Sequence, residues 1–216
     1  MLEYTYYHLN FSIFRIYVRI KVESCYNWGG CMRVIAGDLK GRKIKAVPGQ
    51  STRPTADKIK EALFQVMGPF FNGGSFLDLF AGSGSLGIES LSRGMDFGVF
   101  VDRHPKAVHT IKENISQLQL VEKTEVYRTD AFRALKACRN RGLQFDYIFL
   151  DPPYKQINYT KLLEHIANYH LLKENGFVYC EHHPTESIHA AADWQVVKQE
   201  AYSSTIGVTI FYNVTN

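Results

Sequence analysis

The sequence has few of the features that mark secreted, membrane-spanning or metal-binding proteins. Its 216 residues include only four cysteines, whose positions do not give the paired spacing of a metal site. The apolar N-terminal stretch is interrupted by His8, Arg15 and Arg19 before about 18 apolar residues accumulate, which excludes a membrane-spanning helix there. It also lacks the basic start and small-residue cleavage site of a signal peptide. We therefore expect a cytoplasmic protein with reduced thiols, no metal and no membrane attachment.

Internal repeats, low-complexity tracts and long polar linkers are missing as well. The length suits one good-sized domain with a small appendage. The composition, 45% hydrophobic and 21% charged, is typical of a globular protein. The net charge of +4 is a weak indication of a polyanionic partner.

Residues 1–31 differ from the rest of the chain because they are dense in Tyr, Ile and Phe and poor in Ala and Glu. These abundant residues are typical of A/T-rich codons, and a Trp-Gly-Gly run shortly precedes Met32, as a translated ribosome-binding site would give. We expect residues 1–31 to be a non-native upstream leader and Met32 to be the biological start. The alternative is an additional strand or partner-binding arm, since residues 14–22 alternate like a strand.

From Met32 onward, strand-like and helix-like segments alternate. Residues 32–55 contain two short strand patterns around the turn "DLKG", which predicts a small N-terminal β-hairpin followed by a loop. Residues 56–216 continue as alternating helices and strands, and the last two strands follow one another without a helix. This order predicts an α/β fold with a mostly parallel seven-stranded sheet, helices on both faces and a C-terminal antiparallel hairpin at or near one edge.

A glycine-rich turn follows the first long strand. Gly82, Gly84 and Gly87 satisfy G-x-G-x-x-G between a strand and a helix, which lets backbone N–H groups approach a ligand. The pattern alone also fits a tight turn that binds nothing. Ligands of such sheets lie beyond the carboxyl ends of the strands. Asp102 ends the next strand, where it could accept both ribose hydroxyls, and Asp130 ends the following one, where it could accept an adenine amino group.

These positions fit either a nicotinamide dinucleotide or S-adenosylmethionine. Asp78, four residues before Gly82, suits a cationic amino-acid head and would repel a pyrophosphate. Another strand ends in Asp-Pro-Pro-Tyr at 151–154, where the prolines remove N–H donors and leave the Asp151 carboxylate and backbone carbonyls as acceptors. Such a pocket fits an amino-group donor, and Tyr154 offers a flat face for stacking a base, worth about 1–3 kcal/mol.

Together these motifs resemble one known family. The stretches "MRVIAGDLKGRKIKAVPG", "TRPTADKIKEALFQ", "FLDLFAGSGSLGIESLSRG" and "DYIFLDPPY" are similar to the bacterial family that methylates N2 of a guanine in 16S rRNA (RsmD). The resemblance covers roughly residues 32–214 and departs at Tyr202, where the family pattern has a Tyr-Gly pair. It implies a Rossmann-like S-adenosylmethionine methyltransferase domain over 56–216. It further implies S-adenosylmethionine as cofactor and a monomer that acts on 16S rRNA within a small-subunit assembly particle.

Motif positions and the resemblance together give three sets of candidate residues. The catalytic set, which would grip the amine hydrogens and stack the base, is Asp151, Pro152 and Tyr154. The cofactor-binding set is Asp78, Phe80, Gly82, Ser83, Gly84, Asp102, Arg103, Asp130 and Ala131. The RNA-binding set, which lies between residues 39 and 56 where no acid competes, is Lys40, Arg42, Lys43, Lys45 and Arg53. The alternative for this last set is a solvated strand edge that lysines protect from aggregation.

Three further points stay open at the level of sequence. His182 and His183 are adjacent on a strand and point to opposite faces, so we expect surface or rim positions and no metal. Methylation of adenine N6 in DNA, or of another RNA, is an alternative activity, although the chain has little room for a DNA-recognition domain. A non-catalytic rRNA-binding module that retains a cofactor pocket is the alternative from a different class.

Overall fold

The computed structural model describes residues 32–49, 55–152, 158–189 and 194–214. The leader-like segment 1–31 and the predicted site residues Arg53 and Tyr154 lie outside these ranges.

Strands and helices alternate along the described chain as the sequence pattern predicts. The strands are β1 (Met32–Arg33), β2 (Lys43–Ile44), β3 (Ser75–Asp78), β4 (Phe97–Asp102), β5 (Thr124–Arg128), β6 (Phe145–Leu150), β7 (Leu172–His182), β8 (Gln195–Ala201) and β9 (Gly207–Tyr212). The α-helices are α1 (Thr55–Met67), α2 (Ser85–Ser92), α3 (Pro105–Gln117), α4 (Ala131–Asn140) and α5 (Tyr159–Asn168).

Seven strands form one sheet in the order β5-β4-β3-β6-β7-β9-β8. The first five of these strands are parallel, while β9 runs antiparallel to both β7 and β8. β1 and β2 form a separate antiparallel pair. The predicted fold class, with its C-terminal antiparallel hairpin and its small N-terminal hairpin, is confirmed.

Two apolar layers sandwich the sheet because successive strand residues point to opposite faces. Phe76 of β3 packs against Phe100 and Phe149, with ring centroids 5.2 and 5.8 Å away, on the face covered by α1, α2 and α3. Leu77 points to the opposite layer, which is built from α4 and α5. At Gly87 an added Cβ would lie 2.4 Å from Phe100 and 2.5 Å from Phe76. The third glycine of the motif therefore lets α2 pack closely on the sheet.

The N-terminal hairpin is fastened to α2 by a buried carboxylate. Glu89 is fully buried and accepts hydrogen bonds from the Ile35 and Ala36 backbone N–H groups at 2.8 and 2.9 Å. It also accepts from Arg93 Nε at 2.8 Å, so its charge is compensated where water is excluded. The hairpin thus keeps a fixed position beside the helix that follows the glycine turn.

The expectation for the adjacent histidines is wrong for His182. This side chain is 3% exposed, with Nε2 2.9 Å from Thr209 Oγ1 and Nδ1 2.9 Å from the His183 carbonyl oxygen. The reason is that β9 pairs with β7 along its whole C-terminal half, which buries this end of the strand. His183, which follows the end of β7, is half-buried.

Candidate active site

The carboxyl ends of the parallel strands bring most of the predicted site residues to one edge of the sheet. Asp78 and Asp102 end the adjacent strands β3 and β4, and Asp151 follows the end of β6 on the other side of β3. Asp78 pairs in register with Phe149, two residues before Asp151. Three acids that are far apart in sequence therefore lie along one rim.

The glycine turn joins β3 to α2 and is tied to β4. Gly82 and Gly84 have φ values of 53° and 81°, in the left-handed region that favours glycine. A Cβ at Gly82 would find no atom nearer than the Phe80 carbonyl oxygen at 4.0 Å, so conformation rather than crowding requires glycine there. The Gly82 N–H donates to Asp102 Oδ2 at 3.0 Å, and His104 N–H donates to Oδ1 at 2.7 Å. Asp102 therefore holds the turn against the end of β4.

Asp78 is the most unusual charge of the site. Its side chain is 1% exposed, and Oδ1 has no hydrogen-bond partner among the described residues. Burial raises the pKa of this carboxyl to about 7, a hydrogen bond from the Phe80 backbone opposes the shift, and the charge of Asp102 adds to it. A buried carboxylate oxygen that lacks a donor fits a ligand that brings one, above all an ammonium group.

Asp130 and Ala131 open helix α4 at the end of β5. Asp130 Oδ1 accepts from the Arg133 backbone N–H at 3.0 Å, and its Oδ2 lies 3.2 Å from Arg133 Nε. Ala131 is buried in the layer under α4. Asp130 thus acts as a helix cap, and its predicted contact with an adenine amino group stays a prediction.

The remaining predicted cofactor residues flank the turn. Phe80 is partly buried against the α4–α5 layer, and exposed Arg103 directly follows β4. Ser83 is buried, its hydroxyl lies 3.7 Å from Met32 Sδ, and its carbonyl accepts from Asn114 Nδ2 at 2.9 Å. The backbone of the turn is therefore fixed by residues from outside the motif.

Asn114 of α3 is a site-supporting residue that the sequence analysis missed. It is 1% exposed, donates from Nδ2 to the Lys45 carbonyl at 3.0 Å and accepts at Oδ1 from the Lys45 N–H at 2.8 Å. With its bond to Ser83, one amide joins the glycine turn to the basic hairpin. A polar residue on the buried face of an amphipathic helix is the signal that could have identified it.

The other half of the rim is formed by β6 and β7. Asp151 is half-buried and Pro152 is buried. Leu150 pairs in register with Cys180. Asp151 and Glu181, the residues that come directly after this pair, therefore lie side by side at the rim. Glu181, which the sequence analysis also missed, accepts from Tyr179 through Oε2 at 3.1 Å.

The two tyrosines below this rim have perturbed hydroxyls. The Tyr159 hydroxyl donates to the Glu181 carbonyl. Burial is the main cause that raises the pKa of Tyr159 and Tyr179, and the nearby charges of Asp151 and Glu181 raise both pKa values further. Both phenols thus stay neutral hydrogen-bond donors beside the two carboxylates.

The basic residues of the hairpin lie on the protein surface. The side chains of Lys40, Arg42, Lys43 and Lys45 are all exposed. Lys45 Nζ lies 3.0 Å from Glu113 Oε1, and Arg42 Nη2 donates to the Gln117 carbonyl at 3.3 Å, so α3 supports two of the four. Their predicted contact with phosphates stays a prediction.

Across the described ranges, no group of three or more His, Cys, Asp or Glu side chains is placed to hold a metal ion. The helices in those same ranges include none that is long and apolar enough to cross a membrane.

Comparison with known proteins gives one consistent set of relatives. The family described as conserved hypothetical protein 95 matches residues 32–212. YlbH of Bacillus subtilis (strain 168), named as a candidate rRNA methyltransferase, is 50% identical over 181 residues, covering 83% of this chain and 98% of that protein. Ribosomal RNA small subunit methyltransferase D of Buchnera aphidicola is 36% identical over 167 residues, covering 77% of this chain and 86% of that protein.

A solved structure agrees with these sequence matches. The crystal structure of a candidate methylase from Haemophilus influenzae superposes with a TM-score of 0.71 at 28% identity. The match covers 86% of this chain and 100% of that one.

Proposed function

The chain belongs to the family of conserved hypothetical protein 95 and ribosomal RNA small subunit methyltransferase D, and from that premise we propose that it transfers a methyl group from S-adenosylmethionine to the exocyclic N2 of a guanine in 16S rRNA. The observation that carries the proposal is the buried Asp78 carboxylate at the strand end beside the glycine turn, whose Oδ1 has no hydrogen-bond partner among the described residues. The names of the relatives support rRNA as the substrate class.

The cofactor half of the site fits the parts of S-adenosylmethionine. Asp78 would accept from its ammonium group, and the open space at Gly82 leaves room for a close backbone approach. Both oxygens of Asp102 already accept one backbone N–H each. Because a carboxylate has about four lone-pair sites, Asp102 can still accept the ribose hydroxyls.

The target amine would be bound at the end of β6. A guanine N2 is a poor nucleophile because its lone pair is delocalised into the ring. The Asp151 carboxylate and the Pro152 carbonyl would accept its two hydrogens and draw the nitrogen toward tetrahedral geometry, with Tyr154 stacked on the base. Much of the rate enhancement then comes from orientation.

When bound beside Asp78 and the glycine turn, S-adenosylmethionine would supply an electrophilic methyl group. N2 would form a bond to the methyl carbon as the carbon–sulfur bond breaks, and the electron pair of that bond would go to sulfur to leave a neutral thioether. Asp151 would take the proton that N2 loses. The half-exposed position of Asp151 would then let this proton pass to water.

The rRNA would be bound as a polyanion by the exposed hairpin. Lys40, Arg42, Lys43 and Lys45 of the hairpin would supply phosphate contacts, together with Arg53, which lies outside the described residues. The target base must flip out of its stack to reach Asp151. We propose that a monomer acts in this way on the 16S rRNA of a small-subunit assembly particle in the cytoplasm.

Nucleoside analysis after methyl transfer tests the proposal. Small-subunit particles, free 16S rRNA and duplex DNA are incubated with the protein and isotopically labelled S-adenosylmethionine, digested, and analysed by mass spectrometry. The proposal predicts N2-methylguanosine from the ribosomal substrates. N6-methyladenine in DNA would establish the rival enzyme, and cofactor binding without transfer to any substrate would establish a binding module.

A further inference from the structure

Glu181, which follows Cys180 on β7, lies level with Asp151, which directly follows the end of β6. Leu150 and Cys180 are register partners on two strands about 4.8 Å apart, and Asp151 and Glu181 are the residues that come directly after them. Leu150 and Cys180 point to the α4–α5 layer, so Glu181 points to the opposite face. There its carboxylate bonds Tyr179, which packs in the layer under α1, α2 and α3.

Asp78 lies on this same face and at this same edge, on the strand beyond β6. It is in register with Phe149, whose ring packs in the same layer as Tyr179. Within the part of the chain that the structure describes, Asp78 Oδ1 has no hydrogen-bond partner, which points independently to a ligand on this face. A ligand bound beside Asp78 would therefore lie on the same face and edge of the sheet as Asp151 and Glu181.

Glu181 is fixed at two points. Tyr179, which is 1% exposed, donates to its Oε2 at 3.1 Å, and the Tyr159 hydroxyl donates to its backbone carbonyl. A side chain that is fixed in this way can select a partner by hydrogen-bond pattern, because a wrong partner cannot push it aside at low cost.

Guanine presents two adjacent donors on its Watson–Crick edge, N1–H and the N2 amine, whereas adenine presents an acceptor at N1. Two acceptors side by side match the guanine edge. A carboxylate that faces adenine N1 would instead place two lone pairs against each other, and unmatched buried polar groups are the strongest source of selectivity in such sites.

We propose, on the basis of the function proposed above, that Glu181 accepts the N1–H of the target guanine while Asp151 accepts from its N2 amine. Glu181 is then the residue that selects guanine over bases with an acceptor at N1. Its role is selection, and Asp151 remains the group on the reacting nitrogen.

An RNA with 2-aminopurine at the target position provides the test, since this base keeps the N2 amine and lacks N1–H. The probe is a 16S rRNA fragment that contains the guanine mapped in the nucleoside analysis, with guanine or 2-aminopurine there. The wild-type protein should prefer guanine in kcat/KM by about 100-fold or more. Glu181→Gln should reduce this ratio at least tenfold, because the Gln amide can donate to the unprotonated N1 of 2-aminopurine.

For each variant, kcat/KM on guanine and on 2-aminopurine is measured with the same protein preparation. A lower fraction of folded protein reduces both values equally and leaves their ratio unchanged. Glu174→Gln, an exposed residue near the amino end of the same strand, is the matched control and should leave the ratio unchanged. Equal wild-type rates on the two bases, or an unchanged ratio in Glu181→Gln, would overturn the inference while the proposed function stands. Absence of N2 methylation on guanine itself would overturn both.

Discussion

The two halves of the candidate site are built differently. On the β3–β4 side, the Asp102 carboxylate accepts a hydrogen bond from the Gly82 N–H of the glycine turn, and Asp78 has only the Phe80 backbone as a hydrogen-bond partner among the described residues. On the β6–β7 side, Asp151 and Glu181 are half-buried at the rim. Under the proposed function, this difference means that the fold itself shapes the cofactor half, whereas the amine half is open to the incoming substrate. The variants below test this division, starting with the largest expected effect.

Asp151→Ala should lower kcat/KM for methyl transfer by about 1,000-fold or more, because it removes the acceptor that orients the amine. The dissociation constant of S-adenosylmethionine should stay within about threefold of wild type. Labelled-methyl transfer and calorimetric titration measure the two quantities. Retention of turnover within a few-fold would mean that Asp151 does not grip the amine.

Asp102→Ala should weaken binding of S-adenosylmethionine by about 1.5–3 kcal/mol, since the ribose loses a charged acceptor. The structure adds a second cause, because Gly82 loses the carboxylate that holds its N–H. Asp96→Ala is the matched control: it removes a carboxylate next to the amino end of the same strand, where Asp96 accepts from the Gly74 N–H. Equal affinities in wild type and Asp102→Ala would place the ribose elsewhere.

Asp78→Asn should stabilise the fold at pH 8 by about 1–3 kcal/mol while it weakens cofactor binding. The folded pKa of about 7 lies above the ordinary value of 3.8, so ionised Asp78 costs the folded state on the order of 4 kcal/mol at pH 8. The Asn amide adds a buried donor without a partner, and the cost of that donor offsets part of the stability gained by removing the charge. The difference between variant and wild type should shrink as the pH falls from 8 to 5, because Asp78 then takes up a proton itself.

Denaturant unfolding at the two pH values measures this effect. A loss of stability at pH 8 would show that the Asp78 carboxylate has a stabilising partner in the cofactor-free fold.

Some features of the fold and the site follow from local sequence patterns, and others depend on contacts between distant residues. Element order, the acid at each strand end and the left-handed glycines follow from local patterns. The buried position of His182 depends on β9, and the role of Asn114 depends on Lys45, 69 residues earlier. No sequence motif marks Glu181 as a site residue. Its position beside Asp151 follows only from the register in which β6 and β7 pair. The positions and roles of these three residues therefore depend on contacts with distant parts of the chain, which local motifs do not reveal.

Replacement of Lys40, Arg42, Lys43 and Lys45 by Ala should weaken RNA binding and leave cofactor affinity unchanged. The slope of log K against log salt should shrink by about 0.7–0.9 for each lost phosphate contact. Lys45 and Arg42 already bond to α3 and are therefore less available to phosphates. The change in slope should then correspond to the loss of between two and four phosphate contacts. Cognate and unrelated RNA should be affected alike, because phosphate contacts carry no sequence information.

A protein that lacks residues 1–31 is the comparison for that experiment. It should keep the wild-type slope if the segment is leader. A reduced slope would show that Arg15, Arg19 and Lys21 act in RNA binding, and an unaltered slope in the four-site variant would place the RNA surface elsewhere.

Calorimetric titration of S-adenosylmethionine from pH 8.5 to 5.5 tests the central claim most directly. If Asp78 receives the cationic head, binding favours the ionised carboxylate. Affinity should then fall by up to tenfold per pH unit as the pH drops below the folded pKa of about 7, with proton release. Asp78→Asn should bind weakly and without this pH dependence. A wild-type affinity that does not change across this range, or one that Asp78→Asn leaves intact, would contradict the assignment of Asp78 as the acceptor of the cofactor.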